Sequence, residues 1–280
     1  MSSGHAKTRP TARTVATQPA ASTTSRPAKP AKPSAFAPKW EKQLYKALSA
    51  HDVDQVVAVA EGKPEAQRTA AALEVVYRAW PGDMERARVL LSWLVGQAYE
   101  PTADAFLVRY APDARTSISV AEGVTVELPL SADSLGLMLA ESLQAAGDLS
   151  AATAVVEQLD PSTVAAVSLA ELYGQQKRWA DVIDLTNGLQ NDDDASVFLL
   201  IQRGVALRES GSLSASREVF REALRFKSRA PQLRHHALVE RAHTYLAERK
   251  PSMARKDLER VLAEDASYPG LAEALESLAR

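Results

Sequence analysis

Residues 204–220 read GVALRESGSLSASREVF, two helix-forming runs broken by Gly211-Ser212. Small Gly204 is followed three positions on by large Leu207, twelve positions on by small Ser216, and four beyond that by Phe220. Apolar residues on both sides of the turn recur with a period near 3.6, so the stretch predicts a helix–turn–helix hairpin. Working outward, the same spacing returns three more times: Ala140, Leu143, Ala152, Val156; Ala170, Tyr173, Val182, Thr186; and Ala242, Tyr245, Ala254, Leu258. Small residues at the first and third positions let the two helices of a hairpin approach closely. The large ones fill the space between one hairpin and the next. A unit of this kind cannot bury its apolar face alone and must stack on neighbours.

These four quartets resemble the tetratricopeptide repeat (TPR) pattern. Their successive steps of 30, 34 and 38 residues bracket the period of about 34 residues of that family. The family's tryptophan position holds Gly136, Ala166, Leu200 and Leu238, and its terminal proline is missing or displaced to Pro231 and Pro269. The resemblance covers residues 131–280, and more loosely a helix pair from Pro64 to Ala98, with Tyr77 and Ala87 in comparable places. It implies an all-α fold, a TPR-like α-solenoid of stacked helical hairpins with a concave groove lined by the first helix of each. In register with the family, the groove-facing positions are Glu141, Gln144, Glu171, Gln175, Ile201, Arg208, Val239 and His243. The family's chaperone-tail clamp needs lysine and asparagine where this chain has residues such as Leu137, Glu141, Ser168 and Gln202, so no clamp of that type is expected.

One segment breaks the helical period. From Thr116 to Leu130, Ile118 and Val120, then Val124, Val126 and Leu128, alternate as strand residues do. A three-residue loop, Ala121-Glu122-Gly123, sets Val120 on Val124 and Ile118 on Val126, with all apolar side chains on one face. Gly123 then takes the left-handed position such a loop wants. An isolated hairpin is marginal in water, so this face is expected to pack on helices; capture of a peptide by an edge strand is the alternative.

Residues 1–38 carry Ala, Ser, Thr, Pro and basic residues without a periodic apolar face, and predict a disordered N-terminal tail. Arg26-Pro-Ala-Lys-Pro-Ala-Lys-Pro33 favours extended polyproline II, suited to a tether or a docking peptide. The formal charge of −2 hides an asymmetry: acidic residues begin at Glu41, whereas Lys7, Arg9, Arg13, Arg26, Lys29 and Lys32 precede it. The organisation expected is a tail (1–38), helical hairpins (39–111), a β-hairpin insertion (112–130) and TPR-like repeats (131–280). With no cysteine, disulfides and thiolate metal sites are excluded. No apolar run reaches the length of about 18 residues that a membrane span requires, and the N-terminus lacks the apolar core of a secretory signal. A cytoplasmic location is the expectation. Arginine over lysine and abundant alanine are associated with GC-rich bacterial genomes.

Candidate chemistry is sparse. His236, Glu240 and His243 share one helical face and could ligate a divalent metal, yet no fourth ligand accompanies them, and a partner-facing role is the reading taken. Asp192-Asp193-Asp194 lacks the alternation and glycine of a calcium loop and reads as a helix cap before Ala195. Arg217, Arg221 and Arg225 interleave with Glu218 and Glu222, a solvated mixed-charge face. No phosphate loop, nucleophile elbow, zinc-protease motif or dinucleotide fingerprint occurs. The expectation is therefore a non-catalytic scaffold, monomeric and without cofactor, that binds an unknown protein or peptide. Association of the basic tail with nucleic acid or another polyanion is the alternative, and a metal-dependent enzyme at His236, Glu240 and His243 is a third reading.

Overall fold

The computed structural model describes residues 32–121 and 124–278. The expectations for residues 1–31, for the Glu122-Gly123 loop tip and for Arg280 lie outside the described residues. The described chain falls into two compact units divided between Asp160 and Pro161.

The first unit holds α1 (Lys39–Ser49), α2 (Val53–Ala60), α3 (Pro64–Glu74), a π-helical turn (Val75–Ala79), α4 (Met84–Gly96), a 3-10 turn (Pro101–Ala103) and α5 (Ala105–Tyr110). Strands β1 (Arg115–Ala121) and β2 (Val124–Pro129) follow, then α6 (Ala132–Ala145) and α7 (Leu149–Val156). The second unit is helical: α8 (Thr163–Gln175), α9 (Trp179–Leu185), α10 (Asp194–Glu209), α11 (Leu213–Ala223), α12 (Pro231–Ala247), α13 (Pro251–Glu264) and α14 (Leu271–Ser277). The architecture is thus all-α with one small antiparallel sheet, as expected. Among the described residues no helix is long and apolar enough to cross a membrane.

The four quartets fall on the pairs α6–α7, α8–α9, α10–α11 and α12–α13. Their small first and third positions are buried in every pair, as are the fourth positions Val156, Thr186, Phe220 and Leu258. In all four, the carbonyl of the large second residue accepts the amide five residues on: Asp148 to Leu143 at 2.9 Å, and Arg178 to Tyr173, Ser212 to Leu207 and Lys250 to Tyr245 at 2.8 Å each. This is the Schellman closure of a helix end. It needs a left-handed residue between the helices, which is Gly147, Lys177, Gly211 and Arg249 in turn. The Ser216 hydroxyl donates to the Gly204 carbonyl at 2.7 Å and lies 3.1 Å from the Thr244 hydroxyl, tying α11 to both α10 and α12.

Side-chain caps start the helices. Asp52, Asp83 and Asp148 accept the amides of Gln55, Arg86 and Ala151 at 3.0 Å each, and Ser131 and Asp193 form reciprocal capping boxes with Ser134 and Ser196. The expected cap within Asp192–Asp194 is therefore Asp193, one residue before the helix begins.

The hairpin forms, with one correction to its register. Ile118 pairs with Val126 as expected, but Ala121, not Val120, pairs with Val124, and the strand bulges between Ser119 and Ala121. A bulge takes up one extra residue, so a shorter loop still delivers Ile118 opposite Val126 with both on the helix-facing side. Ile118 is buried and β1 packs on α6. The outward backbone of β1 is occupied as well. The Trp80 indole donates to the Ser117 carbonyl at 2.9 Å, and a Glu141 carboxylate oxygen accepts the Ser119 amide at 3.1 Å. Strand addition along that edge of β1 is blocked at both positions.

At the C-terminal end, Leu271 is buried against the cluster of Leu238, Ala242, Tyr245, Leu258 and Val261, while Glu273 and Glu276 on the same helix are exposed.

Candidate functional site

The residues expected to face a groove divide between the two units. In the first, Glu141 and Gln144 stand on α6, where Glu141 is already engaged in holding β1. The other six belong to the second unit, in which α10 lies between α8 and α12, and α9, α11 and α13 pack as the second helices of their hairpins.

Burial along α8, α10 and α12 defines the accessible stripe. Glu171 and Gln175 are partly or fully exposed on α8, joined by a hydrogen bond of 3.0 Å from the Gln175 amide. Ile201 is fully buried, whereas Gln202, Val205 and Arg208 on the same helix are partly buried. A helix flanked on both sides and covered by α11 leaves only a narrow strip free, and one residue of offset, about 100° around the axis, carries Ile201 into the packing. On α12, Val239 is half-buried and His243 is exposed.

The chemical centre of this stripe is an ion pair between helices. Arg208 donates to a Glu240 carboxylate oxygen at 2.7 Å and to the Glu240 carbonyl at 3.1 Å, and its Nε reaches Glu209 at 3.0 Å. The other Glu240 oxygen lies 3.5 Å from His243 Nδ1. Burial alone would raise the Glu240 carboxyl, but hydrogen bonds from His243 and Arg208, with the Arg208 charge, outweigh it and hold the group down to about 2. Arg208 and Glu240 are only 14% and 17% exposed, so solvent screens the pair weakly.

Glu240 therefore spends its carboxylate on Arg208 and on His243 across the same helix. Among the described residues no three His, Asp or Glu side chains converge to hold a metal ion. Arg217 pairs with Glu248 at 3.0 Å and Arg225 with Glu222 at 3.4 Å, and Arg221 pairs with Glu218, so these arginines form a mixed-charge face.

Sequence reading missed the partner of Glu240, which comes from a helix 32 residues away, and it missed the Asn191 clamp. Asn191 donates to the Glu222 carbonyl at 2.8 Å and accepts from Arg229 at 2.9 Å, fastening the loop before α10 to the end of α11. A lone buried asparagine carries no sequence signal; the i, i+3 spacing of Glu240 and His243 did mark the face, though it suggested the wrong companion.

No family model matches the chain, and no curated protein matches it. Among solved structures, it is similar to the N-terminal domain of the EccA1 ATPase from the ESX-1 secretion system of Mycobacterium tuberculosis. The TM-score is 0.60 at 18% identity, with 86% of this chain and 88% of that chain covered. The likeness is one of fold.

Proposed function

We propose that this chain is a non-catalytic, cytoplasmic scaffold of tetratricopeptide type that binds a protein or peptide on the first-helix stripe of its repeats. The observation that carries the reading is the packing of α10 against both α8 and α12, three helices on which Gln175 and His243 are exposed and Gln202, Val205, Arg208 and Val239 partly so. The fold shared with an N-terminal domain of a secretion-system ATPase supports a role as an accessory module rather than a reaction centre.

The test is affinity capture from the native cell with three tagged baits, with a nuclease control. The baits are the full chain, the chain without residues 1–38, and the full chain carrying Gln175→Ala and His243→Ala. A protein recovered with the first two, resistant to nuclease and lost with the third, supports the scaffold. Recovery that needs the tail or intact nucleic acid transfers the function to polyanion binding by the basic tail, which Lys7, Arg9, Arg13, Arg26, Lys29 and Lys32 favour.

A further inference from the structure

Antiparallel pairing fixes where the backbone of the hairpin points. On β1, the Ser117 carbonyl and the Ser119 amide are turned away from β2, since Trp80 and Glu141 reach them from outside at 2.9 and 3.1 Å. Residues directly opposite one another in such a pair share this character. Ser117 stands opposite Glu127 and Ser119 opposite Thr125, so the amides and carbonyls of Thr125 and Glu127 point outward on the far side of β2. Both residues are exposed, and among the described residues no protein group bonds to their outward amides or carbonyls. β1 packs on α6, and among the described residues the sheet has no third strand. The edge that an indole and a carboxylate close on β1 is therefore open on β2. Pro129, exposed at the end of β2, has no amide to offer and confines the open edge to the positions before it.

The side chains beside that edge define what fits it. On the helix-facing side, Ile118 and Thr116 of β1 are buried, but Val126 and Leu128 opposite them are only partly so. On the outer side, Glu127 is exposed and forms no ion pair among the described residues. Arg115, the one basic residue of the two strands, stands opposite Pro129 instead. An added strand therefore meets half-covered apolar side chains on one face and an unpaired carboxylate on the other. A segment that alternates apolar and basic residues complements both, because its own side chains alternate faces with the same period. The carboxylate also argues against a second copy of β2. Antiparallel pairing of Thr125 with Glu127 of another copy would bring two Glu127 side chains onto one face of a four-stranded sheet.

We propose that the free edge of β2 binds an extended segment of another protein as a third strand, with a lysine or arginine opposite Glu127 and an apolar residue on either side of it. Antiparallel addition gives each outward amide and carbonyl of Thr125 and Glu127 a partner. The apolar neighbours cover Val126 and Leu128, and the basic side chain neutralises Glu127. Backbone bonds then supply the affinity and the alternating side chains the selectivity. This surface is separate from the first-helix stripe of the second unit and does not rest on it.

The probe is the end-capped peptide TVKVT, titrated into the isotope-labelled full-length chain while backbone amide resonances are followed by NMR. The amides of Thr125 and Glu127 are expected to shift saturably. Changing the peptide to TVEVT is expected to weaken binding roughly two- to tenfold. N-methylation of its lysine backbone, which removes one ladder donor, should act by a similar factor. Glu127→Lys is expected to invert the preference, so that TVEVT binds more tightly than TVKVT, an exchange that a purely structural role for Glu127 does not produce. Thr125→Pro removes an outward amide and leaves the bonds between β1 and β2 in place, so it should weaken binding at an unchanged thermal melt; if the melt falls, the Glu127→Lys exchange decides alone. No saturable shift at up to about 2 mM peptide, equal affinity for the two peptides, or an unchanged preference in Glu127→Lys would overturn the proposal. Shifts at Thr125 and Glu127 that grow with protein concentration in the absence of peptide would identify a second copy as the occupant and overturn it as well. The stripe variants of the capture experiment lie in the other unit, so failure of one reading leaves the other standing.

Discussion

Replacing Gly204 with alanine adds one methyl group where α10 meets α11. An ideal Cβ there falls 2.6 Å from Phe220 Cζ, 2.7 Å from Cε1 and 2.8 Å from Cε2. Carbon–carbon contact is comfortable from about 3.5 Å, so the ring must retreat by about 0.9 Å. It has nowhere easy to go: Phe220 is fully buried and rigid, and the Ser216–Gly204 hydrogen bond of 2.7 Å holds the helices at this separation. Overpacking of this kind costs about 1–3 kcal/mol, while alanine returns about 1 kcal/mol of helix propensity. The net expectation is destabilisation by up to about 2 kcal/mol, read as a lower urea midpoint at unchanged slope. Phe220→Leu removes the ring edge, so in the double variant the alanine should cost at least about 1 kcal/mol less than in the wild type. A control comes from Gly136, whose Cβ would meet Leu159 Cδ2 at 2.5 Å. There the obstacle is the free end of a flexible side chain, and Gly136→Ala should be neutral or mildly stabilising. If Gly204→Ala is as stable as the wild type and shows no coupling to Phe220→Leu, the small first position does not set helix separation, and the packing account of the repeat is wrong.

Two further outcomes follow from local geometry. Glu240→Gln should destabilise at neutral pH by up to about 3 kcal/mol, given a carboxyl held down to about 2 against an ordinary value of 4.5. Because the folded value is depressed, this contribution is complete above the unfolded value. It fades as pH falls from about 4.5 through about 2, so denaturation midpoints of variant and wild type should converge across that window. Lys177→Gly and Arg249→Gly, at φ 58 and 59, should each stabilise by about 0.5–1 kcal/mol by relieving a left-handed backbone, and thermal melts would show it.

The repeat was legible because its signal is steric and local. A small residue facing a small residue across a glycine or left-handed turn constrains a hairpin whatever surrounds it, and Ala140, Ala170, Gly204 and Ala242 carry that constraint openly. The alternation through Ile118 and Val126 was legible for the same reason. The bulge beside Val120 was not, since alternating apolar residues look the same whether or not one is skipped. The π-helical turn at 75–79 escaped because helical periodicity differs little over five residues. Trp80, whose indole reaches the Ser117 carbonyl from 37 positions away, is fixed by the hairpin rather than by its neighbours. Ile201 marks the limit of register taken from resemblance: a one-residue phase difference separates core from surface on a central helix.

If the stripe binds a partner as proposed, the ion pair at its centre constrains what that partner can be. Arg208 and Glu240 satisfy one another, and Arg208 also binds the Glu240 carbonyl and Glu209, so a ligand gains little by offering either a new charge. A carboxylate brought to Arg208 must first displace Glu240 and leave a largely buried anion without its counter-charge, which is costlier than any surface pairing. A cation brought to Glu240 meets the mirror problem. On the proposed scaffold reading, the pair would act against strongly charged segments, and discrimination would pass to the flanking Gln175, Gln202, Val205 and Val239, which offer amide hydrogen bonds and apolar contact.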